Sequence, residues 1–208
     1  MIKNIIFDIG NVILFFDYKK IVQGISKDPA DIAFIVKHVI NSPEWLGYGL
    51  LDLGVISAED AVIAIQDRTE HTHDRLVEDF LLHSQEDRKV DPGIREEIIK
   101  LKQEGYKVYL LSNIPHIRYD FIRNTSDLFD IVDGMVLSCL VKKIKPHESI
   151  YKELLAKYNL DPSECVFIDD NKKNIKTAER LGIKGINVFP TPESVKSAIT
   201  RIKNLNKK

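Results

Sequence analysis

Cysteine is scarce in this sequence, and long apolar runs are missing from it. The 208 residues include two cysteines, Cys139 and Cys165, each inside a short apolar run and without a second cysteine at metal-ligand spacing. Thiols in such positions are typically buried and inert, and they fit a reducing compartment, so a zinc site is not expected. No stretch approaches the roughly 18 consecutive apolar residues of a membrane-spanning helix.

An excess of one charge is also missing. Lysine and arginine total 30 and aspartate and glutamate total 31, which gives a formal net charge of -1. We interpret the only basic run, residues 201–208, as a solvated terminal helix that frays. This balance gives the protein no broad attraction to nucleic acid or to a membrane surface. Because the first residues turn polar too soon for a signal peptide, we expect a cytoplasmic protein.

What the sequence does contain is a set of short apolar runs separated by helical patterns. Hydrophobic residues make up 44% of the chain, which is enough for a buried core. Five runs rich in Ile, Val, Leu and aromatic residues, bounded by Asp, Ser, Gly or Pro, predict buried parallel strands. These runs are residues 4–7, 107–111, 135–138, 165–168 and 185–189. Helical apolar stripes between the later runs complete the pattern of a doubly wound α/β sheet.

The section after the first strand interrupts this alternation. Residues 17–89 show helical periodicity and almost no strand signal. Candidate helices cover residues 19–25, 29–40, 44–51, 58–66 and 74–83. We interpret the section as a helical cap, residues 17–89, inserted into an α/β core formed by residues 1–16 and 90–208. Trp45, Tyr48 and Leu50 are expected to pack the core of this cap.

Polar side chains follow the predicted strands, at the point where each strand ends. They are Asp8 after the first strand, Ser112 and Asn113 after the second, Lys145 before the helix that follows the third, and Asp169 and Asp170 after the fourth. In open α/β sheets, ligands bind beyond the carboxyl ends of the strands. The sequence therefore predicts one site with carboxylates, a hydroxyl and a cation, suited to a phosphate and a hard metal ion.

The chemistry of these side chains fits magnesium and a small phosphorylated substrate. Magnesium prefers oxygen ligands, which Asp8 and Asp170 offer as carboxylates and Gly10 offers as an unobstructed backbone carbonyl. A carboxylate near magnesium and Lys145 stays ionised at neutral pH. Asp8 could then attack phosphorus and form an aspartyl-phosphate.

Other groups at the predicted site could bind the phosphoryl group. Ser112 and the free backbone N–H groups of a helix that begins near Pro115 can bind phosphate oxygens. Lys145 would neutralise the charge that develops on the phosphoryl group. Asn113 either caps the helix near Pro115 or takes part in phosphate binding.

Four ordered motifs connect the chain to a known family. They are Phe7-Asp8-Ile9-Gly10-Asn11-Val12, Leu111-Ser112-Asn113, Lys145-Pro146 with Ile150-Tyr151, and Phe167-Ile168-Asp169-Asp170-Asn171 with Asn174. In this order they resemble the haloacid dehalogenase-like hydrolase superfamily. The resemblance implies a Rossmann-like, five-stranded parallel sheet, a helical cap after the first motif, and a magnesium cofactor.

The resemblance also implies roles for individual residues. Asp8 is the expected nucleophile and a metal ligand, Gly10 gives a carbonyl to the metal, and Asp170 is the further metal ligand. Ser112 and Lys145 hold the phosphoryl group, with Asn113 and Gly10 beside the substrate. For Asp169 we expect either a supporting role near the metal or a helix-capping role. Asn174 either orients a metal-bound water or is a solvated helix residue, and both interpretations stay open.

One departure from the family pattern affects the expected substrate. Phosphatases of the family usually carry a second aspartate two residues after the nucleophile, which protonates the leaving group and later activates water, and Gly10 occupies that position here. General acid–base help is worth about 10²–10⁴-fold in rate, so its loss favours leaving groups that need little protonation. Sugar 1-phosphates meet this demand, and the motifs resemble the bacterial α-D-glucose-1-phosphatase branch.

Two other functions compete with a phosphatase. A metal-independent 2-haloacid dehalogenase would also lack the second acid, but Asp169 and Asp170 would repel its carboxylate substrate and the halide. A non-catalytic member of the family would bind a phosphorylated metabolite or a partner protein without turnover. Loss of Asp8 would then leave its biological role intact.

Overall fold

The computed structural model describes residues 1–41, 48–85 and 89–206, with the backbone alone at position 48. Its sheet contains strands β1 (Asn4–Phe7), β2 (Lys107–Ser112), β3 (Gly134–Leu137), β4 (Cys165–Asp169) and β5 (Lys184–Asn187). The strand order is β3-β2-β1-β4-β5, and each neighbouring pair is parallel. The predicted doubly wound α/β fold with a parallel five-stranded sheet is confirmed.

Helices cover both faces of this sheet. They are α6 (Pro92–Gln103), α7 (His116–Thr125), α8 (Leu128–Ile131), α9 (Ser138–Val141), α10 (Glu148–Lys157), α11 (Lys172–Arg180) and α12 (Pro192–Leu205). Alternate residues of β1 point to opposite faces, so Ile5 and Phe7 belong to the cluster with α6 and α12, while Ile6 belongs to the cluster with α10 and α11. Because the strands are buried on both faces of the sheet, their sequences are continuous apolar runs.

The helices of the inserted section form their own apolar cluster. They are α1 (Tyr18–Ile25), α2 (Ala30–Ile35), α3 (Tyr48–Asp52), α4 (Ala58–Arg68) and α5 (Asp74–Glu78). Fully buried Ile35, Ile65 and Val77 lie in this cluster, which is separate from the two clusters at the sheet. The division into a core of residues 1–16 and 90–208 and a cap of residues 17–89 stays a prediction.

Two predicted helices in this section change their hydrogen-bond pattern midway. The helix predicted at 29–40 is α2 followed by a π-helical turn, Val36–Ile40, and the helix predicted at 74–83 is α5 followed by a second π-helical turn, Asp79–His83. The predicted helix at 44–51 is described only from residue 48 onward. Trp45 and the side chain of Tyr48 lie outside the described residues, and Leu50 is half-buried.

Some predicted element ends were wrong. Ser138 begins α9 instead of ending β3, and β5 ends at Asn187, opposite Asp169, which leaves Phe189 outside the sheet and 78% exposed. The terminal basic run is helical through Leu205, and α12 packs fully buried Ile202 against the core; its fraying stays a prediction. Cys139 and Cys165 are buried free thiols, as predicted. None of the described helices has the length and apolar composition needed to cross a bilayer.

Candidate active site

The site begins at the carboxyl end of β1, the central strand. Asp8 follows β1 directly, and its backbone N–H donates to the carbonyl of Ile168 on β4. The Ser112 hydroxyl, at the end of β2, donates to Asp8 Oδ1 at 2.7 Å, and Lys145 Nζ lies 2.9 Å from the same oxygen. Side chains from three segments of the chain, which lie at or after the ends of β1, β2 and β3, therefore meet at one carboxylate.

Lys145 is buried among acids, and its backbone is held in place by Asn113. Its Nζ donates to Asp169 Oδ2 at 2.7 Å. The Asn113 amide accepts from the Lys145 backbone N–H at 2.8 Å and donates to the Lys145 carbonyl at 3.0 Å. In the described part of the chain, no side-chain hydrogen bond caps the start of α7 at Pro115, so the predicted capping role of Asn113 is wrong. Its amide positions the lysine that contacts Asp8.

Asp169 lies at the centre of a second hydrogen-bonded group. The Asn174 side-chain amide donates to both Asp169 oxygens, at 3.1 and 3.0 Å, and the Asn171 backbone N–H donates to Oδ1 at 2.7 Å. Asn174 is 6% exposed, so the interpretation as a solvated helix residue is wrong. The residue that caps α11 is Asn171, so Asp169 does not have the capping role. Asp169 connects Lys145 to the start of that helix.

Three carboxylates converge at the site. Oxygen atoms of Asp8, Asp169 and Asp170 lie within 4.8 Å of one another. Asn11 donates its amide to Asp170 Oδ2 at 3.1 Å, while the buried Asn11 Oδ1 has no hydrogen-bond partner among the described residues. Oxygen-rich, acidic surroundings with an orphaned carbonyl oxygen fit a hard cation such as magnesium.

The protonation of these groups is controlled by burial and by their mutual charges. Burial raises the pKa of Asp8 to about 7; the charge of Asp169 adds to this rise, while Lys145 and Ser112 oppose it. Burial also raises the pKa of Asp170, against the lowering effect of its hydrogen bond from Asn11. A bound cation would favour the ionised forms of both groups.

A cavity of about 190 Å³ opens beside Gly10, between the sheet and the inserted helices. Mostly apolar side chains line it, together with the polar residues Asp52, Gln85, Asn113 and Arg118. Burial, and secondarily the charge of Asp8, raises the pKa of Asp52 to about 7, while Lys145 lowers it. The sequence analysis missed Asp52, because a Leu-Asp-Leu-Gly helix end carries no signal of contact with a site formed elsewhere in the chain.

Most of the chain is similar in sequence to known proteins. The model of the haloacid dehalogenase-like hydrolase family matches residues 2–182. The D-ribitol-5-phosphate phosphatase of Bacteroides thetaiotaomicron is 30% identical over 88% of this chain and 90% of its own length. Several other curated relatives are matched over about half of their own length or less.

Solved structures show the same fold. A predicted hydrolase of the same family from Porphyromonas gingivalis superposes with a TM-score of 0.76 at 27% identity, covering 98% of both chains. A family enzyme from Bacteroides thetaiotaomicron, solved with magnesium and inorganic phosphate, superposes with a TM-score of 0.70 at 24% identity, covering 90% of this chain and 94% of that enzyme.

Proposed function

Because the chain belongs to the haloacid dehalogenase-like hydrolase family, we propose that it is a magnesium-dependent phosphatase that hydrolyses a small phosphorylated metabolite through an aspartyl-phosphate on Asp8. The observation that carries this proposal is the Asp8 carboxylate at the tip of the central strand, 2.7 Å from the Ser112 hydroxyl and 2.9 Å from Lys145 Nζ. The likeness to a ribitol phosphate phosphatase over 88% of the chain supports phosphate-ester hydrolysis.

Each contact of Asp8 corresponds to a task in phosphoryl transfer. The Asp8 carboxylate attacks phosphorus, and the ester oxygen leaves as the P–O bond breaks. The Ser112 hydroxyl and the Lys145 ammonium, which contact Asp8 in this structure, lie where they can turn to phosphoryl oxygens. Asn113 keeps Lys145 in position through its two backbone hydrogen bonds.

Asp8, Asp170 and the Gly10 carbonyl are the residues proposed to hold magnesium. The three-carboxylate cluster and the orphaned Asn11 Oδ1 support this assignment. Bound magnesium would screen the phosphate from the carboxylates. Among the described residues, Lys145 is the cation that forms ion pairs with Asp8 and Asp169, which leaves the negative charge of Asp170 available to a metal ion.

The substrate class follows from the surroundings of Gly10. The absence of an acid at this position is the basis for the sugar 1-phosphate prediction. Asp52, however, is an acid that lines the cavity beside Gly10, so the leaving group need not be restricted to an anomeric oxygen. We therefore propose phosphorylated sugars and sugar alcohols as the substrate class, with sugar 1-phosphates as one member.

A panel of phosphate esters tests the proposed function. It contains ribitol 5-phosphate, glucose 6-phosphate, glucose 1-phosphate and 4-nitrophenyl phosphate, each with Mg²⁺ or with EDTA. We expect the wild-type protein to release phosphate only with Mg²⁺ and Asp8→Asn to release none, because the amide is not a nucleophile.

Asp120→Asn is the matched control for this panel, since Asp120 is an exposed aspartate on α7. It should retain wild-type turnover. Halide release from 2-chloropropionate in EDTA would support the dehalogenase alternative instead. Binding of phosphate esters with no turnover of any of them would support a non-catalytic role.

A further inference from the structure

Asp52 is held at the reaction site by contacts between the insertion and the sheet. It is the last residue of α3, and its backbone carbonyl accepts a hydrogen bond from the Ser138 hydroxyl at the start of α9. Two residues later, the Gly54 carbonyl accepts from Lys142 Nζ at the end of α9. Gly54 has a φ of +63° and a Cβ there would lie 2.7 Å from the Cys139 carbonyl, so this close approach requires glycine. The backbone at Asp52 and just after it is therefore fixed to the core.

Asp52 and Gly10 line the same cavity. Both residues line it together with Ile9, which follows Asp8 in the chain. Among the residues that the structure describes, a Cβ built on Gly10 would meet only Phe16 Cε1, at 3.8 Å, so those residues leave space for a side chain at position 10. Burial, and after it the charge of Asp8, raises the pKa of Asp52 to about 7, while Lys145 lowers it.

We propose that Asp52 is the general acid and base of the phosphatase, supplying from the insertion the carboxyl group that Gly10 lacks. This inference rests on the proposed function and adds the catalytic residue that the first motif does not contain. It assigns proton transfer to a residue 44 positions away from the nucleophile in the sequence.

The two half-reactions balance with one proton. In the first, a bond forms between Asp8 Oδ and phosphorus, the bond from phosphorus to the ester oxygen breaks, and the protonated Asp52 gives its proton to that oxygen, which leaves as a neutral alcohol. In the second, the Asp52 carboxylate takes a proton from water as the water oxygen attacks phosphorus. The Asp8–phosphorus bond breaks, phosphate leaves, and both carboxyl groups regain their starting states.

The cavity also contains a group suited to recognising the alcohol. Gln85 lines it, is 8% exposed, and has a buried Oε1 without a hydrogen-bond partner among the described residues. An acceptor of this kind would bind a hydroxyl donor on the leaving group. A sugar or sugar alcohol would leave as a strongly basic alkoxide, and this is the case in which a proton donor matters most.

The test compares leaving groups in kcat/KM, which reports the steps up to the first P–O cleavage. The substrates are 4-nitrophenyl phosphate, whose phenolate leaves without help, and the alkyl phosphates ribitol 5-phosphate and glucose 6-phosphate. We expect Asp52→Asn to lower kcat/KM for the alkyl phosphates about 100-fold and for 4-nitrophenyl phosphate less than about threefold. Asp120→Asn, the exposed control, should change neither.

A second variant keeps the test independent of any folding defect in Asp52→Asn. Adding Gly10→Asp to Asp52→Asn puts a carboxyl into the same space and should restore at least about tenfold of the lost alkyl-phosphate activity. Equal losses for aryl and alkyl esters in Asp52→Asn without this rescue would overturn the inference while leaving the proposed function intact. Wild-type hydrolysis of the aryl ester alone would also overturn it. A wild-type protein that hydrolyses none of these esters would refute the proposed function and this inference together.

Discussion

The ammonium group of Lys145 lies between two carboxylates, 2.9 Å from Asp8 Oδ1 and 2.7 Å from Asp169 Oδ2. Its side chain is 1% exposed, so water does not screen these contacts. Burial alone would lower the pKa of Lys145, but the two carboxylates raise it above its usual value, and the lysine stays charged. Removing one member of such a group leaves the others buried without a partner.

We therefore expect Lys145→Met to lower the free energy of unfolding by about 3 kcal/mol or more, measured by urea unfolding at neutral pH with EDTA present. The matched control is Lys143→Met, which removes a half-exposed ion pair with Glu153 and should cost about 1 kcal/mol or less. Equal losses in the two variants would contradict the view that Lys145 compensates buried acids.

At the scale of the elements, the site depends on connections between segments that follow different strands. Asn113, after β2, holds the backbone of Lys145, which precedes α10. Asn174, on α11, holds Asp169 at the end of β4. These amides fix the relative positions of the strand ends, so they act on catalysis through the residues that they position.

The loss of one such connection should affect activity more than stability. We expect Asn113→Ala to lower kcat/KM for 4-nitrophenyl phosphate about tenfold, because Lys145 would lose its fixed position. The two lost hydrogen bonds should lower the free energy of unfolding by about 1–3 kcal/mol. Asn124→Ala, at an exposed position on α7, is the control and should change neither quantity. Unchanged kcat/KM in Asn113→Ala would show that this amide does not position Lys145.

The sequence was most informative about elements that are buried on both sides. The strands could be predicted because burial on two faces requires continuous apolar runs. The ends of the predicted strands then indicated Asp8, Ser112, Lys145 and Asp169 as site residues. The π-helical turns could not be predicted, since the apolar stripe of a helix barely changes when one turn widens. Asp52 could not be predicted either, because its role depends on how the inserted helices lie over the sheet.

At the scale of the whole molecule, one edge of the sheet concentrates negative charge in a protein with a net charge of only -1. Asp52 adds a fourth carboxyl group to this edge, and its pKa is raised from 3.8 to about 7 by burial and by Asp8. The folded protein thus holds this proton more tightly than the unfolded chain does. The resulting stability is fully present below about pH 4 and is lost as the pH rises to about 7.

Asp52→Asn should remove this pH dependence, because an amide cannot ionise. In EDTA, we expect the thermal midpoint of wild type to fall relative to that of Asp52→Asn between about pH 5 and pH 8. Differential scanning calorimetry at both pH values measures this difference. For the exposed control Asp120→Asn, the difference from wild type should be the same at both pH values. If Asp52→Asn behaved in the same way, Asp52 would not carry a raised pKa.

The covalent role of Asp8 is tested most directly by trapping the phosphorylated protein. Excess wild-type protein is mixed with 4-nitrophenyl phosphate and Mg²⁺, quenched in acid at successive times within the first turnover, and digested for mass spectrometry. The account predicts a phosphoryl group on Asp8 that rises and then decays as inorganic phosphate appears, with no such adduct in Asp8→Asn. Release of phosphate through the whole turnover with Asp8 unmodified at every time point would contradict it.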